Sequence, residues 1–303
     1  MKPLLTLFVI ALLVSGCNTL PPNTTPPEPS ISKLPLCSKT RPRGEPRGPC
    51  LDSKGNPNSL QMALVIGNSE YGYQPLPNPV NDAKGMTDAL VKLGFYVTQA
   101  NNLSHQNMTE VVKAFEKRLS GTPESVALFY FSGHGAQVGG QNFLLPVNNR
   151  NIRREEDLKQ QAIMVQDILT AMQTVNKGMN LIVLDACRDN PYKLSESSII
   201  KNANRGLTQV QLTAIPQGAL VAFAAAPGQI ALDGDGHYGL YTSHLLNELK
   251  RAEHRRIEEV FKDVRKSVAT ESQQKQVPWY HASVAETFCF KGCPQSVVPN
   301  SAE

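Results

Sequence analysis

Two residues of this chain, His134 and Cys187, have the side-chain types and sequence contexts that nucleophilic catalysis requires. Each lies at the end of a strongly apolar segment that is typical of a buried strand, residues 125–131 for His134 and 180–184 for Cys187. A thiol needs a nearby base to become a thiolate at neutral pH, and an imidazole can serve as that base. The two residues therefore predict covalent catalysis by Cys187, with His134 as general base, if the fold brings them together.

Alternating strands and helices must position this pair. The predicted strands are residues 62–66, 95–99, 125–131, 143–147, 180–184, 219–224 and 283–290, and the predicted helices are 80–93, 108–119, 165–175, 241–250 and 257–269. Gly139 and Gly140 predict a hairpin turn. This order predicts an α/β fold with a mostly parallel sheet and helices on both faces. Because ligands bind beyond the carboxyl ends of such strands, we expect His134 and Cys187 to meet there.

Glycines flank the histidine and suggest a second contribution to the chemistry. Gly133 and Gly135 let the backbone turn tightly and approach a bound peptide closely. The backbone N–H groups of Gly135 and Cys187 are therefore predicted to form an oxyanion hole for the developing negative charge.

The sequences YFSGHG, at 130–135, and LDACR, at 184–188, resemble the histidine and cysteine motifs of the caspase and metacaspase peptidases. The spacing of the two motifs agrees with that of caspases. The resemblance covers most of residues 60–290, which we assign to the peptidase domain, and includes PVNDA at 79–83. It implies a caspase-like three-layer sandwich with a six-stranded sheet, a Cys–His dyad and peptide hydrolysis through a thioester.

Asp185 departs from the caspase signature, which has glutamine at this position. Residues two apart on a strand face the same side, so Asp185 is expected to face the site together with Cys187. Metacaspases use acidic pockets, and the matching residues here are Asp82, Ser132 and Asp185, which predicts cleavage after Arg or Lys. Alternatively, Asp185 hydrogen-bonds loop backbone, and Asp82 is a first-turn carboxylate favoured by the helix dipole.

Residues 1–16 predict a bacterial lipoprotein signal peptide. Lys2, an apolar run and the order Val14-Ser15-Gly16-Cys17 resemble a lipobox, in which Cys17 is acylated, for example by palmitate, and becomes the mature N-terminus. A plain signal peptide is the alternative. The proline-rich residues 17–59 predict an extended tether. We therefore expect a lipid-anchored protein of the bacterial cell envelope, with its domain in the periplasm.

Four further cysteines lie outside these motifs, at positions 37, 50, 289 and 293. An exported compartment permits disulfides among them, including one that joins the tether to the chain end, and the sequence leaves the connectivity open. Residues 291–303 are a predicted C-terminal tail. A Ser- and Asn-rich loop, 193–205, carries Lys201 and Arg205 as candidate sites of self-cleavage.

The remaining partners follow from charge and ligand counts. A net charge of +4 without a basic run argues against nucleic acid. No cofactor is expected, and His134 and Cys187 lack a third and fourth zinc ligand. The sequence DGDG at 233–236 fits either calcium, which some metacaspases require, or an acidic turn. The expected protein is a monomeric cysteine endopeptidase acting on polypeptides; the alternatives are a catalytically silent docking module and a structural lipoprotein.

Overall fold

The computed structural model describes residues 61–138, 141–187, 218–226, 229, 231–233, 236–283 and 287–293, with the backbone alone at Val138 and Cys187. The predicted signal peptide with Cys17, the tether, the loop with Lys201 and Arg205, and residues 294–303 of the tail lie outside this range.

Within these described residues, the main sheet has six strands in the order β2-β1-β3-β6-β7-β8. Their bounds are β1 Gln61–Gly67, β2 Tyr96–Asn101, β3 Val126–Val138, β6 Asn180–Cys187, β7 Ala219–Phe223 and β8 Trp279–Ser283. Every neighbouring pair is parallel except β7 with β8. The predicted α/β class with a mostly parallel sheet is confirmed.

In the described part of the chain, six α-helices connect the strands. They are α1 Pro79–Lys92, α2 His105–Ser120, α3 Glu155–Gln161, α4 Val165–Val175, α5 Leu240–Leu249 and α6 Ile257–Glu271. The five long helices match the predicted segments to within a few residues. The short α3 was not predicted, because its sequence, EEDLKQQ, has one buried apolar residue, Leu158, and thus no helical apolar period.

Side chains alternate along the strands and fill two separate cores. One face, with Val65, Tyr130 and Val183, packs against α1, α5 and α6. The other face, with Leu64 and Phe129, packs against α2 and α4. Burial on both faces explains why these strands are continuous apolar runs instead of alternating with polar residues.

Strand β3 is longer than predicted and forms a hairpin beyond the main sheet. Beyond its partner β1, it pairs from Gly135 onward with β4, Gln141–Leu144, and β4 pairs with the short β5, Ile163–Met164. His134 therefore lies within a strand and not directly after one. The hairpin packs on its own small hydrophobic core, which includes Phe143, Leu145 and Leu158.

The predicted position of the last strand is wrong. The strand lies at Trp279–Ser283, where Trp279 stacks on Phe223 with ring centroids 5.0 Å apart, and the described residues 287–290 form no strand. Around Phe288 and Phe290 the chain instead bridges to the start of α6, through a hydrogen bond from the Ile257 N–H to the Phe288 carbonyl oxygen. Phe290 is apolar because it packs in the core, not because it belongs to a strand.

Cys289 and Cys293 form a disulfide with their Cα atoms 5.0 Å apart. This pairing leaves neither cysteine available for a bond to Cys37 or Cys50, so these residues do not join the tether to the chain end. Among the residues described, no helix is both long and apolar enough to cross a membrane.

Candidate active site

The register of β3 and β6 brings the predicted catalytic residues together. His134 is the strand partner of Cys187, and two residues earlier Ser132 is the partner of Asp185. Neighbouring strands lie about 4.8 Å apart, so each pair of backbones is adjacent. The Cys187 side chain is outside the described part of the structure, and the place of its sulfur stays a prediction.

The His134 imidazole is buried, with 1% of the residue exposed, and is held by the loop between β1 and α1. Its Nε2 lies 2.6 Å from the Gln74 carbonyl oxygen. Because a carbonyl oxygen can only accept, Nε2 carries the hydrogen, and Nδ1 is the basic nitrogen of the neutral ring. This tautomer leaves Nδ1 as the atom that can take a proton from a nucleophile.

The loop that presents Gln74 is fixed by side chains from other elements. The Asn149 side chain accepts a hydrogen bond from the Tyr73 N–H, at 3.0 Å, and donates one to the Tyr73 carbonyl oxygen, at 3.1 Å. Asn102 Oδ1 accepts the N–H groups of Ser69 and Glu70. The carbonyl that orients His134 therefore belongs to a braced segment.

The strand alternation also determines which way the Gly135 N–H points. The backbone groups of His134 point toward β4, since its carbonyl oxygen accepts a hydrogen bond from the Leu145 N–H at 3.0 Å. Successive residues of a strand direct their backbone groups to opposite edges, so the Gly135 N–H faces the edge along which β6 lies. This direction is compatible with the predicted oxyanion hole, whose role stays a prediction.

Asp82 and Asp185 form a buried acidic pair next to the His134–Cys187 pair of strand partners. Asp82, on α1, accepts hydrogen bonds from Ser132 Oγ at 2.8 Å and from the Gly239 N–H at 2.9 Å. Asp185 accepts two from Thr242, from the hydroxyl at 2.6 Å and the N–H at 3.2 Å. The structure thus brings together all three predicted pocket residues, Asp82, Ser132 and Asp185.

The surroundings of the acidic pair favour its protonated form. Burial, followed by the charge of Asp185, raises the pKa of Asp82 to about 8, although hydrogen bonds from Gly239 and Ser132 oppose the rise. Burial likewise raises the pKa of Asp185 to about 6. Within the described part of the chain, neither carboxyl belongs to an ion pair. An incoming cation would relieve this unfavourable arrangement.

Comparison with known proteins shows the family of this chain. The family model for the Caspase domain matches residues 60–289, most of the chain. The chain belongs to the caspase domain family. This is a family of cysteine peptidases, and the resemblance carried by the two motifs is confirmed.

The caspase domain is also similar to two curated proteins. They are the mucosa-associated lymphoid tissue lymphoma translocation protein 1 of Homo sapiens and its homolog in Mus musculus, each 34% identical over 133 residues. The match covers 42% of this chain but 15% of each relative. The similarity therefore concerns one part of much longer proteins.

Several residues of the caspase domain site were not predicted from the sequence. Tyr71 and the Gln74 carbonyl contact His134, whereas Gly239 and Thr242 bind the carboxyls. No local pattern marks a backbone carbonyl or a single loop tyrosine, so only the fold identifies them. No sequence pattern identified Thr242, in the first turn of α5, as a partner of Asp185 either.

Asp233 contributes to the electrostatics of the acidic pair. It was predicted as part of a calcium loop or an acidic turn, and its charge adds to the raised pKa of both Asp82 and Asp185. Asp235, the other acid of that loop, lies outside the described residues. Among those described, no three His, Cys, Asp or Glu side chains cluster as metal ligands would.

Proposed function

We propose that this chain is a cysteine endopeptidase that cleaves polypeptides after Arg or Lys, with Cys187 as nucleophile and His134 as base. The observation that carries the proposal is the register of β3 and β6. It pairs His134 with Cys187 and, two residues earlier, Ser132 with Asp185. Because Ser132 donates a hydrogen bond to Asp82, the acidic pair of Asp82 and Asp185 lies beside the proposed reacting pair.

The first half of the reaction forms a thioester. His134 Nδ1 takes the proton of the Cys187 thiol, and the thiolate attacks the scissile carbonyl carbon. The imidazolium that results donates a charge-assisted hydrogen bond from Nε2 to the Gln74 carbonyl. The N–H groups of Gly135 and Cys187 stabilise the oxyanion. When the intermediate collapses, the C–N bond breaks and the imidazolium returns its proton to the leaving amine.

The second half regenerates the enzyme. His134 takes a proton from water, the hydroxide attacks the thioester carbonyl, and the new carboxyl group leaves as the C–S bond breaks. The Cys187 sulfur is then reprotonated from the imidazolium. No metal or organic cofactor is required for either half of this reaction.

The acidic pair is proposed to select the residue before the scissile bond. Two carboxyls, from Asp82 and Asp185, converge within a buried site where a cationic side chain would form charge-assisted hydrogen bonds with both. An aspartate in the same place would bring a further carboxylate against two buried carboxyls and be rejected. Arg and Lys are therefore the expected substrates.

The setting of the reaction is part of the proposal. The signal sequence and Cys17 support a lipid anchor on the bacterial cell envelope, from which the tether would extend the caspase domain into the periplasm. Polypeptides of that compartment are the expected substrates, and a monomer is the expected state.

Fluorogenic peptides that differ only at the residue before the cleaved bond test the proposal directly. We expect hydrolysis of the Arg and Lys peptides, no hydrolysis of the Asp peptide, and no turnover by Cys187→Ala. His134→Ala should lower kcat by about 10²–10⁴, the usual contribution of a positioned base.

An irreversible thiol reagent provides the control for a folded but inactive protein. It should label Cys187 in the wild type and lose this site in Cys187→Ala. Preference for the Asp peptide would sink the specificity assignment, and equal activity in His134→Ala would sink the role of the histidine. A wild type that neither cleaves nor reacts would favour the docking module instead.

A further inference from the structure

The hydroxyl of Tyr71 lies between β3 and β4 at the position of His134. The register that pairs Gly135 with Leu144 places His134 opposite Leu145. Such residues normally exchange two direct N–H···O bonds, but here only the Leu145 N–H reaches the His134 oxygen directly. The His134 N–H instead donates to Tyr71 Oη at 2.7 Å, and this hydroxyl donates to the Leu145 oxygen at 3.3 Å. The hydroxyl thus takes the place of one bond of the ladder.

The ring of Tyr71 contacts the imidazole as well. The two ring centroids lie 4.3 Å apart at an interplanar angle of 50°. The neighbouring Gly133 has a φ of +154°, and a Cβ added there would collide with Tyr71 Oη. Tyr71 therefore touches both the backbone and the ring of His134, and a glycine leaves room for it.

Tyr71 is itself held firmly. Its N–H donates to the Ser69 carbonyl oxygen at 2.9 Å, and the following Gly72 N–H donates to the Val147 oxygen at 2.7 Å. Only 4% of Tyr71 is exposed. A buried side chain on a segment whose backbone is anchored at Tyr71 and Gly72 can impose a position on the strand it contacts.

We infer that Tyr71 is a positioning residue for His134, acting through its hydroxyl, an inference that rests on the proposed peptidase function. Without the hydroxyl, the His134 N–H loses this acceptor and can move toward the Leu145 oxygen to close the ladder. Both the loss of this acceptor and the closure of the ladder would displace the imidazole and the Gly135 N–H relative to the end of β6. Small displacements of catalytic groups are costly, since a shift of about 1 Å can reduce the rate 10²-fold.

Tyr71→Phe tests this role, because it removes the hydroxyl and retains the ring. We expect kcat to fall by about 10–100-fold, with KM unchanged within about twofold, and the acidic limb of the kcat pH profile to shift. Tyr73→Phe is the matched control, since it makes the same chemical change on the same loop. Its hydroxyl has no hydrogen bond among the described contacts, and its kinetics should equal those of the wild type.

Nuclear magnetic resonance gives a readout that does not depend on turnover. In a Cys187→Ala background, Tyr71→Phe should shift the backbone amide and ring nitrogen signals of His134, whereas Tyr73→Phe should leave them in place. Unchanged His134 signals would overturn the inference about Tyr71, whether or not the wild type is active. An inactive wild type would separately refute the proposed peptidase function. If Tyr71→Phe lowered the melting temperature but kept the wild-type kcat and pH profile, the inference would also be overturned, because Tyr71 would then have only a structural role.

Discussion

At the residue scale, the carboxyls of Asp82 and Asp185 are buried together at a cost in stability. Only 1% of Asp82 and 4% of Asp185 is exposed, and a third acid, Asp233, faces them. Their hydrogen-bond donors, Ser132, Gly239 and Thr242, are all neutral. Neutral donors compensate only part of the desolvation of a carboxylate, which explains why the pKa of both acids is raised.

The raised pKa of Asp82 predicts how stability depends on pH. Because its folded value of about 8 exceeds the ordinary 3.8, the folded protein keeps a proton that the unfolded chain releases between these values. The free energy of unfolding therefore falls as pH rises through this window and levels off above about pH 8. Asp82→Asn removes the titration, so its melting temperature relative to the wild type should increase by several degrees from pH 5 to pH 8.5.

A matched control for this experiment is Asp88→Asn on the same helix. Asp88 is exposed and forms only a surface ion pair with Lys84, which contributes little to stability. Its effect on the melting temperature should vary far less with pH. If the two variants follow the same pH dependence, the buried carboxyl of Asp82 is not the group responsible.

At the scale of the elements, the amino end of α5 organises the acidic pair. The Gly239 N–H binds Asp82 and the Thr242 N–H binds Asp185, so the positive end of the helix dipole faces both carboxyls. Gly239 has φ −57° and ψ 150°, a conformation open to any residue. A Cβ added there would lie 3.2 Å from one oxygen of each carboxyl. Gly239 is therefore needed because it leaves space between the two carboxyls, and not because of its backbone conformation.

Gly239→Ala should consequently weaken substrate binding. The added methyl group occupies the volume between the carboxyls in which the substrate cation is proposed to lie. We expect KM for the Arg and Lys peptides to rise on the order of tenfold, equivalent to about 1.4 kcal/mol, with a smaller change in kcat. Steady-state kinetics with both peptides would measure it.

Gly236→Ala is the corresponding control, because a Cβ at Gly236 would meet only the Tyr238 oxygen, at 3.9 Å. Labelling of Cys187 by a small thiol reagent should be the same in both variants, which would show that the nucleophile is intact. An unchanged KM in Gly239→Ala would mean that the cation does not enter between Asp82 and Asp185.

At the scale of the whole molecule, one sheet carries the residues of both the proposed chemistry and the proposed selectivity. Its central strands, β3 and β6, are covered on both faces by helices, which keeps the two pairs of strand partners in register. The hairpin of β3 and β4 extends the sheet past His134 on the side where β1 ends. The proposed catalytic residues therefore lie on central strands that helices cover on both faces.

The proposed lipid anchor concerns the whole chain and is tested by mass spectrometry. Protein purified from bacterial membranes should have a mass that begins at Cys17 and includes acyl chains, whereas Cys17→Ser should lack them and leave the membrane fraction. A nick between Cys187 and Gln217 would appear in the same spectrum. A mature chain that starts elsewhere and carries no lipid would support the plain signal peptide.

Most of the architecture follows from local sequence patterns. The apolar runs ending near His134 and Cys187 predicted adjacent strands, and the amphipathic periods predicted the five long helices. The errors have local causes. The 279–283 strand was missed because the segment 283–290 was assigned as the last strand, and β3 was ended early because the glycines around His134 suggested a turn. Both segments are strands because a neighbour pairs with them, which no local pattern reports.

The sequence by itself determined which residues carry reactive groups, the family to which they belong, and the strands that bring His134 near Cys187 and Ser132 near Asp185. These features depend on residue type and on periodicity, which are readable along the chain. Only the tertiary structure decided the tautomer of His134, the hydroxyl bridge of Tyr71 and the closeness of Asp82, Asp185 and Asp233. Those depend on hydrogen bonds and desolvation between segments far apart in sequence, and such interactions arise only once the chain has folded.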